Sequence, residues 1–416
     1  MSEDNDDDWF VEHIFSSPFF LSKPKHIAAA VSGGSDSMAL LSYTLLWAES
    51  RDIQVSAVTV DHGLRDGSAA EAETVAAYCA KRGIAHKTLR WDGWDGTGNL
   101  QASARDARYA LMAEFAKQTG IDTIALGHTE DDQAETFVMR LARKSGVDGL
   151  ASMKGRFRKS GVDWVRPLLL RSRAKLRAHL ERNNISWVDD PSNEDARFER
   201  VHARKVIAEL GALNIDNGIL SAVSHNMASA KDALKHYTLA EARTHAVTES
   251  GDLLLPRFEP MPHEISRQLS VNALQWIGRN PYGPRNRAID DMDYHLSTSG
   301  AHTLAGCHIT QTERHTRYTR EFNAVRDLVG PTKAVWDGRW RLGGPHAPGL
   351  EIRALGEGGL AQCSDWRDTG LPRISLLASP AVWRGEALVA APHAGLENGW
   401  VVKLWQPFVQ FLLDGL

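Results

Sequence analysis

Cysteine is scarce in this chain: Cys79, Cys307 and Cys363 are the three among 416 residues. Their wide separation supplies neither a disulfide framework nor a CxxC metal or redox pair, so they are expected to be buried and inert. Long apolar runs are missing too. No stretch of about 18 apolar residues occurs, which argues against a membrane-spanning helix. The N-terminus carries Asp4, Asp6, Asp7 and Asp8 where a secretory signal is basic. A cytoplasmic protein is expected. Two nucleotide-binding signatures are also lacking, the GKS/T ending of a Walker A loop and the glycine spacing of a dinucleotide fingerprint. The remainder is ordinary: 43% hydrophobic and 24% charged residues, in a chain long enough for two or three cores.

What is present centres on one stretch. Residues 26–31 read as a short apolar strand that runs into Ser32-Gly33-Gly34-Ser35-Asp36-Ser37 before a helical period opens at Met38. Paired glycines let backbone N–H groups face an anion, the serines add hydroxyls, and the helix start adds partial positive charge. This stretch is suited to phosphate.

Further strands are expected at 53–60, 85–90 and 122–126, alternating with helices at 38–49, 69–82 and from about 100, with an edge strand at 162–165. Such alternation implies a doubly wound parallel sheet of the α/β class, with ligands at the carboxyl ends of its strands. Asp61, His62 and Arg65 follow the second strand, and His128 follows the fourth. Asp132 and Glu135 lie one turn apart on the helix behind it, a paired-carboxylate face suited to Mg²⁺ or an amine. Arg105 and Arg108 share a helix face. Residues 1–25 read as an acidic, frayed start, 211–218 as a linker, and 219–249 and 263–277 as helices. Short β-like runs follow from about 300. Three parts are therefore expected: a catalytic domain at 1–212, a mainly helical domain at 213–330, and a small mixed or β-rich domain at 331–416.

The net charge of −4 conceals a local excess. Between Arg140 and Arg177 stand twelve Lys/Arg against two Asp, a formal +10, which points to phosphate partners. Trp91, Trp94 and Trp164 are candidates for stacking on bases.

The six-residue loop resembles the SGGxDS loop of the N-type ATP pyrophosphatases, the PP-loop superfamily, whose members cleave ATP between the α- and β-phosphates. With Asp61-His62-Gly63-Leu64-Arg65, Ala104-Arg105-Asp106-Ala107-Arg108-Tyr109, the run from Leu126 to Thr136, Arg166-Pro167-Leu168-Leu169 and Asp190-Pro191-Ser192-Asn193, the chain resembles the tRNA(Ile)-lysidine synthetase family over residues 26–205. One departure stands out: where that family reads RNRxR, this chain has Arg200-Val201-His202-Ala203-Arg204, so His202 carries no expected role.

The resemblance implies an adenine nucleotide alpha hydrolase-like N-terminal fold and a two-step reaction. The wobble cytidine of an isoleucine tRNA with a CAU anticodon is adenylated by ATP, and free L-lysine then displaces AMP to give lysidine. It implies ATP contacts from Ser32, Gly33, Gly34, Ser35, Asp36, Ser37, Asp61, His62 and His128, with Mg²⁺ on Asp36. Lysine would be seated by Asp132, Glu135, Arg108 and Arg200, and Asp36, Asp132, Glu135 and Arg200 are the expected catalytic set, with a carboxylate or His128 as base. The C-terminal domains would hold tRNA, and a homodimer is compatible with the resemblance. Two competing readings are a tRNA thiolase, which would need a sulfur-carrying cysteine pair, and a non-catalytic tRNA-binding protein.

Overall fold

A computed structural model describes residues 3–19, 23–63, 67–94, 97–189, 197, 199–257 and 261–415. Leu64, Arg65 and Asp190-Pro191-Ser192-Asn193 lie outside the described residues. Two compact units divide between Lys231 and Asp232.

The first unit is built on a sheet of order β3-β2-β1-β4-β6-β5, formed by β1 (His26–Ala30), β2 (Gln54–Asp61), β3 (Ala85–Arg90), β4 (Thr123–Ala125), β5 (Arg156–Lys159) and β6 (Val162–Val165). Pairing is parallel from β3 through β6 and antiparallel only at β5. The strand expected at the edge, β6, is therefore internal, and β5 is the edge. Ser160 and Gly161, at φ 54° and 82°, make the tight reversal that a two-residue hairpin demands.

Side chains alternate across β1, which places helices on both faces. Ile27 and Ala29 face α2 (Ser35–Glu49), packing with Leu40, Leu41 and Trp47, and with Leu176 and Leu180 of the later helix Arg173–Arg182. Ala28 faces the other way, toward Met112 and Ala116 of the helix Leu100–Thr119 and toward Ile124 and Trp164. Small residues along β1 bring both layers close to the sheet. In chain order the helices are α1 (Glu3–Trp9), α2, α3 (Ser68–Lys81), α4 (Leu100–Thr119), α5 (Glu130–Ala142), α6 (Val147–Leu150), α7 (Arg173–Arg182), α8 (Glu199–Leu210) and α9 (Asn217–His245). Order reverses between β1 and β4, and in such sheets the crevice at that reversal binds ligands.

Where a frayed start is expected, residues 6–19 are docked. Phe10, Phe15 and Phe19 enter the core, and Asp7 accepts hydrogen bonds from Tyr43 (2.6 Å), Arg171 (2.6 Å), His179 Nδ1 (2.9 Å) and Arg182. Ser42 Oγ hydrogen-bonds His179 Nε2 at 2.9 Å. Although this Ser–His–Asp order resembles a hydrolase triad, all three members are buried and none lines the cleft described below, so it ties α1 to α2 and α7.

Gly211–Leu213, where a linker is expected, is a 3₁₀ turn at the end of α8. The first turns of α9 still belong to the first unit: Leu220 packs with Ala134, Phe137 and Ile207, and Asn217 donates to Asp131 at 2.9 Å.

The second unit has a five-stranded antiparallel sheet of order β7-β8-β11-β10-β9, from β7 (Val247–Glu249), β8 (Asp252–Pro256), β9 (Ala301–Leu304), β10 (Cys307–Gln311) and β11 (His315–Arg320). Its core joins Leu253, Ile309 and Tyr318 to Leu269, Leu274 and Trp276 of α10 (His263–Gly278) and to Ile289 and Met292 of α11 (Asn286–Ser299). The helical stretch foreseen for 213–330 thus also contributes a sheet. A four-stranded and a two-stranded sheet follow, around Trp336, Trp340, Ile352, Val382 and Trp400. Among the described residues, no single helix is long and apolar enough to cross a membrane.

Candidate active site

A cleft of about 1390 Å³ opens at the carboxyl ends of β1, β2 and β4. Its floor is the Ser32–Ser37 loop. Gly33 sits at φ +93°, a conformation only glycine adopts readily, and its carbonyl accepts from the Val188 N–H at 2.9 Å. Gly33 does not line the cleft, so its contribution is backbone shape. Ser37 is a brace: its hydroxyl donates to Gly34 O (2.9 Å) and accepts from the Ser32 N–H (3.1 Å). Ser32 and Ser35 line the cleft beside the start of α2, where the Ser37 and Met38 N–H groups donate to Gly34 O and those of Ser35 and Asp36 have no partner within the helix. Gly127 closes the loop from the other side, where an added Cβ would lie 3.3 Å from the Asp36 carbonyl oxygen.

At the loop, three carboxylates and three arginines meet: Asp36 of the loop itself with Asp132, Glu135, Arg173, Arg200 and Arg204. α5 opens on a capping box: Asp132 accepts from the Thr129 N–H at 2.9 Å while Thr129 Oγ1 accepts from the Asp132 N–H. That cap fixes Asp132, and Glu135 one turn later shares its face, as the spacing implies. Arg200 Nη1 lies 2.9 Å from Asp132 Oδ1, and Arg204 Nε lies 2.6 Å from Glu135 Oε1. Arg173, the first residue of α7, reaches all three acids: 3.0 Å to Asp36, 4.0 Å to Asp132 and 3.8 Å to Glu135.

Burial pushes the Asp36 carboxyl up, opposed by Arg173, and pushes Glu135 up, opposed by Arg204. Burial acts on Asp132 as well, but Arg200 and the Thr129 N–H outweigh it and hold that carboxyl below the usual range. With arginines this close, all three acids are read as ionised at neutral pH.

His128 is held neutral. Arg166 Nε donates to its Nδ1 at 3.2 Å, and burial together with the cations Arg166, Arg108 and Arg105 brings its pKa down to about 3. The hydrogen bond leaves the ring proton on Nε2, so His128 serves as a donor, and the alternative of a histidine base loses its footing. Arg108 lines the cleft with its Nε buried and unpartnered, whereas Arg105, on the same helix, is exposed and does not line it. Burial and the neighbouring Arg105 and Arg200 lower the Arg108 pKa. His62 also lines the cleft, with Nδ1 buried and unpartnered and its ring edge-on to Trp91 at 5.7 Å; burial and Arg108 keep it below the usual imidazole range.

Asp61 lines the cleft beside His62. Its Oδ1 accepts from Ser68 Oγ (2.7 Å) and the Gly63 N–H (2.9 Å), bonds that lower its pKa and tie β2 to α3. Trp164 is fully buried against Tyr109 and Phe157, which removes it as a base-stacking residue. His202 is exposed.

The basic block is divided. Arg143, Lys144, Lys154, Arg158, Lys159 and Lys175 are exposed, while Arg140, Arg156, Arg166, Arg171, Arg173 and Arg177 turn inward. Part of the inward half is internal wiring, with Arg171 holding Asp6 and Asp7 and Arg156 holding Asp163, whereas Arg173 and Arg177 line the cleft, Arg177 paired with Asp189.

The sequence motifs do not single out Arg173, although one signal was present. It occupies the first helical position behind the Ser172 cap, where the helix dipole disfavours a cation, so a partner outside the helix must offset that cost. Among the described residues, no cluster of three or more His, Cys, Asp or Glu could hold a metal. Asp36 beside the loop nevertheless suits Mg²⁺, which takes one or two carboxylates and completes its shell with phosphate oxygens and water.

A PP-loop domain family model matches residues 9–210. The chain is 46% identical over 396 residues to a tRNA(Ile)-lysidine synthase from Ruegeria pomeroyi, covering 95% of this chain and 94% of that one. It is 45% identical to a tRNA(Ile)-lysidine synthase from Rhizobium meliloti, over 84% of this chain and 79% of the other. Among solved structures, the U34-tRNA thiolase NcsA from Methanococcus maripaludis aligns over 54% of this chain and 77% of its own, with a TM-score of 0.47 and 16% identity. With a phosphate loop, a carboxylate pair and 46% identity over 95% of the chain in agreement, the chain belongs to the tRNA(Ile)-lysidine synthase family.

Proposed function

We propose that this chain joins free L-lysine to C2 of the wobble cytidine of the isoleucine tRNA bearing a CAU anticodon. Family membership makes it an ATP-using, tRNA-modifying ligase. The finer reading rests on one observation: Asp36 and Arg173 line the cleft beside the phosphate loop, and Arg173 links that loop to the buried pair Asp132 and Glu135.

In the first step the cytidine O2 attacks the α-phosphorus of ATP and the bond to the bridging oxygen breaks, releasing pyrophosphate. Ser32, Ser35 and the N–H groups at the start of α2 hold the departing phosphates, with His128 Nε2–H as a further donor. Apolar Ala30, Val58, Val60, Met112 and Leu126 line the same cleft and suit the adenine ring. Mg²⁺ held by Asp36 would neutralise phosphate charge. In the second step the lysine ε-amine attacks C2, the C2–O bond breaks and AMP leaves with that oxygen. Asp132 and Glu135 seat the ammonium, and Glu135, whose carboxyl burial has raised, suits removal of its proton. Arg108 and Arg200 are assigned to the lysine carboxylate.

The wobble base must leave its stack to expose C2, so tRNA is assigned to the exposed cations of the first unit and to residues 213–330 and 331–416. The enzyme is placed in the cytoplasm, with a homodimer as an assembly for size-exclusion to test.

The decisive assay combines protein, ATP, radiolabelled lysine and unmodified tRNA. Label should enter tRNA only with ATP, yielding AMP and pyrophosphate; ADP as product refutes the reading. Asp36→Asn should abolish AMP formation while tRNA binding persists, an outcome a non-catalytic tRNA-binding protein would not give. A thiolase reading finds no support in Cys79, Cys307 and Cys363, which are all buried with pKa values raised by desolvation.

A further inference from the structure

Asp132 and Glu135 each have an arginine of their own, Arg200 at 2.9 Å and Arg204 at 2.6 Å. Arg173 is the additional cation. Its Nε hydrogen-bonds Asp36 at 3.0 and 3.3 Å, whereas its two Nη atoms stand 4.0 Å from Asp132 and 3.8 Å from Glu135, beyond hydrogen-bonding range. The guanidinium is thus held firmly at the phosphate-loop end and only by Coulomb attraction at the amine end. Its backbone is fixed, because the Arg173 N–H donates to Asp131 Oδ2 at 2.7 Å, so any movement is a swing of the side chain about an anchored Cα.

Three carboxylates with three arginines sum to zero formal charge. Withdrawal of the Arg173 side chain removes one positive charge from beside Asp132 and Glu135, which a single monocation restores. We infer that Arg173 is a placeholder for the substrate ammonium, held in the acidic pocket by Asp36 and released when nucleotide engages the loop, so that lysine is admitted only after ATP. This inference rests on the lysine-ligating reading above. Arg173 lines the cleft alongside Ser32 and Ser35, so a guanidinium leaving the acids moves toward the nucleotide's phosphates, where its charge is again compensated. A closed ion cluster without nucleotide also limits futile binding of other cations.

Equilibrium dialysis of the full chain with radiolabelled L-lysine tests it, with and without Mg²⁺ and the α,β-methylene analogue of ATP, which cannot be cleaved between those phosphates. Wild type should gain about tenfold or more in lysine affinity when the analogue is present, since one charged contact is exchanged. Arg173→Ala should bind lysine without nucleotide about as tightly as loaded wild type. Arg173→Lys, whose ammonium cannot span three carboxylates, should fall between, and it carries the test if the alanine variant does not fold by circular dichroism. Equal wild-type affinity in both states overturns the inference, as does loss of lysine affinity in the variants. No lysine binding in either state, while label still passes into tRNA, overturns the inference alone. Absence of label transfer overturns the reaction on which it rests.

Discussion

At the scale of single residues, the controlling effect is pairing across long stretches of chain. Asp7 is nearly buried, and burial works against its charge, yet the hydrogen bonds from His179, Tyr43 and Arg182 hold its carboxyl well below the usual range. A carboxyl lowered in the folded state stabilises fully above its unfolded pKa of about 3.9, and that stability drains as pH falls toward the folded value. Asp7→Asn should therefore cost about 3 kcal/mol near pH 7, because Arg171 and Arg182 are deprived of that counter-ion. In urea melts the gap between wild type and variant should narrow below about pH 4. A gap that stays constant from pH 7 to pH 3 would show that Asp7 acts by shape. For His128 the expectation concerns a proton that does not move. With its pKa near 3 it stays neutral through the physiological range, so the rate of AMP formation should carry no titration between about pH 6 and 8 that His128→Gln removes. The glutamine amide can replace the Nε2–H donor, whereas His128→Ala should lose about 100-fold in rate.

At the scale of elements, the segment from α5 through α7 shows how a charge run divides once folded. A run counted from sequence treats each cation alike, but a strand or helix face decides which reach solvent. Lys144, Lys154 and Lys159 are exposed, whereas Arg171 is 4% exposed and bound to Asp6 and Asp7. Changing those three lysines together to glutamine should flatten the plot of log affinity for tRNA against log salt by about two to three in slope, on the order of one for each phosphate no longer neutralised. An unchanged slope would remove this face from the RNA interface. Arg171→Gln belongs to another category: it should lower the melting temperature and leave the salt slope of the folded fraction as it was. The helix starts behaved more legibly. The three-residue spacing of Asp132 and Glu135 puts them on one face, and the structure has it.

At the scale of the whole chain, the two units divide inside α9, with its beginning packed on the first unit through Leu220 and Asn217. A fragment of residues 1–231 should unfold cooperatively and bind ATP. One ending at 212 should be less stable by about 2 kcal/mol or more, for want of a buried leucine and a hydrogen bond to Asp131. Equal melting temperatures for the two fragments would count against the division.

Residue order alone was enough to reveal the strand, loop and helix that hold phosphate, the alternation that makes the sheet parallel, and the carboxylate pair. Each is a local pattern, because backbone conformation and the facing of residues three or four apart depend on neighbours within a turn or a strand. Folding in three dimensions was needed to put Arg173 on Asp36 from 137 residues away, to give Arg200 and Arg204 one each of the paired acids, to make Asp7 a clamp and to turn half of the basic block inward. Charge attraction carries no periodicity along the chain, so which cation meets which carboxylate is fixed by packing.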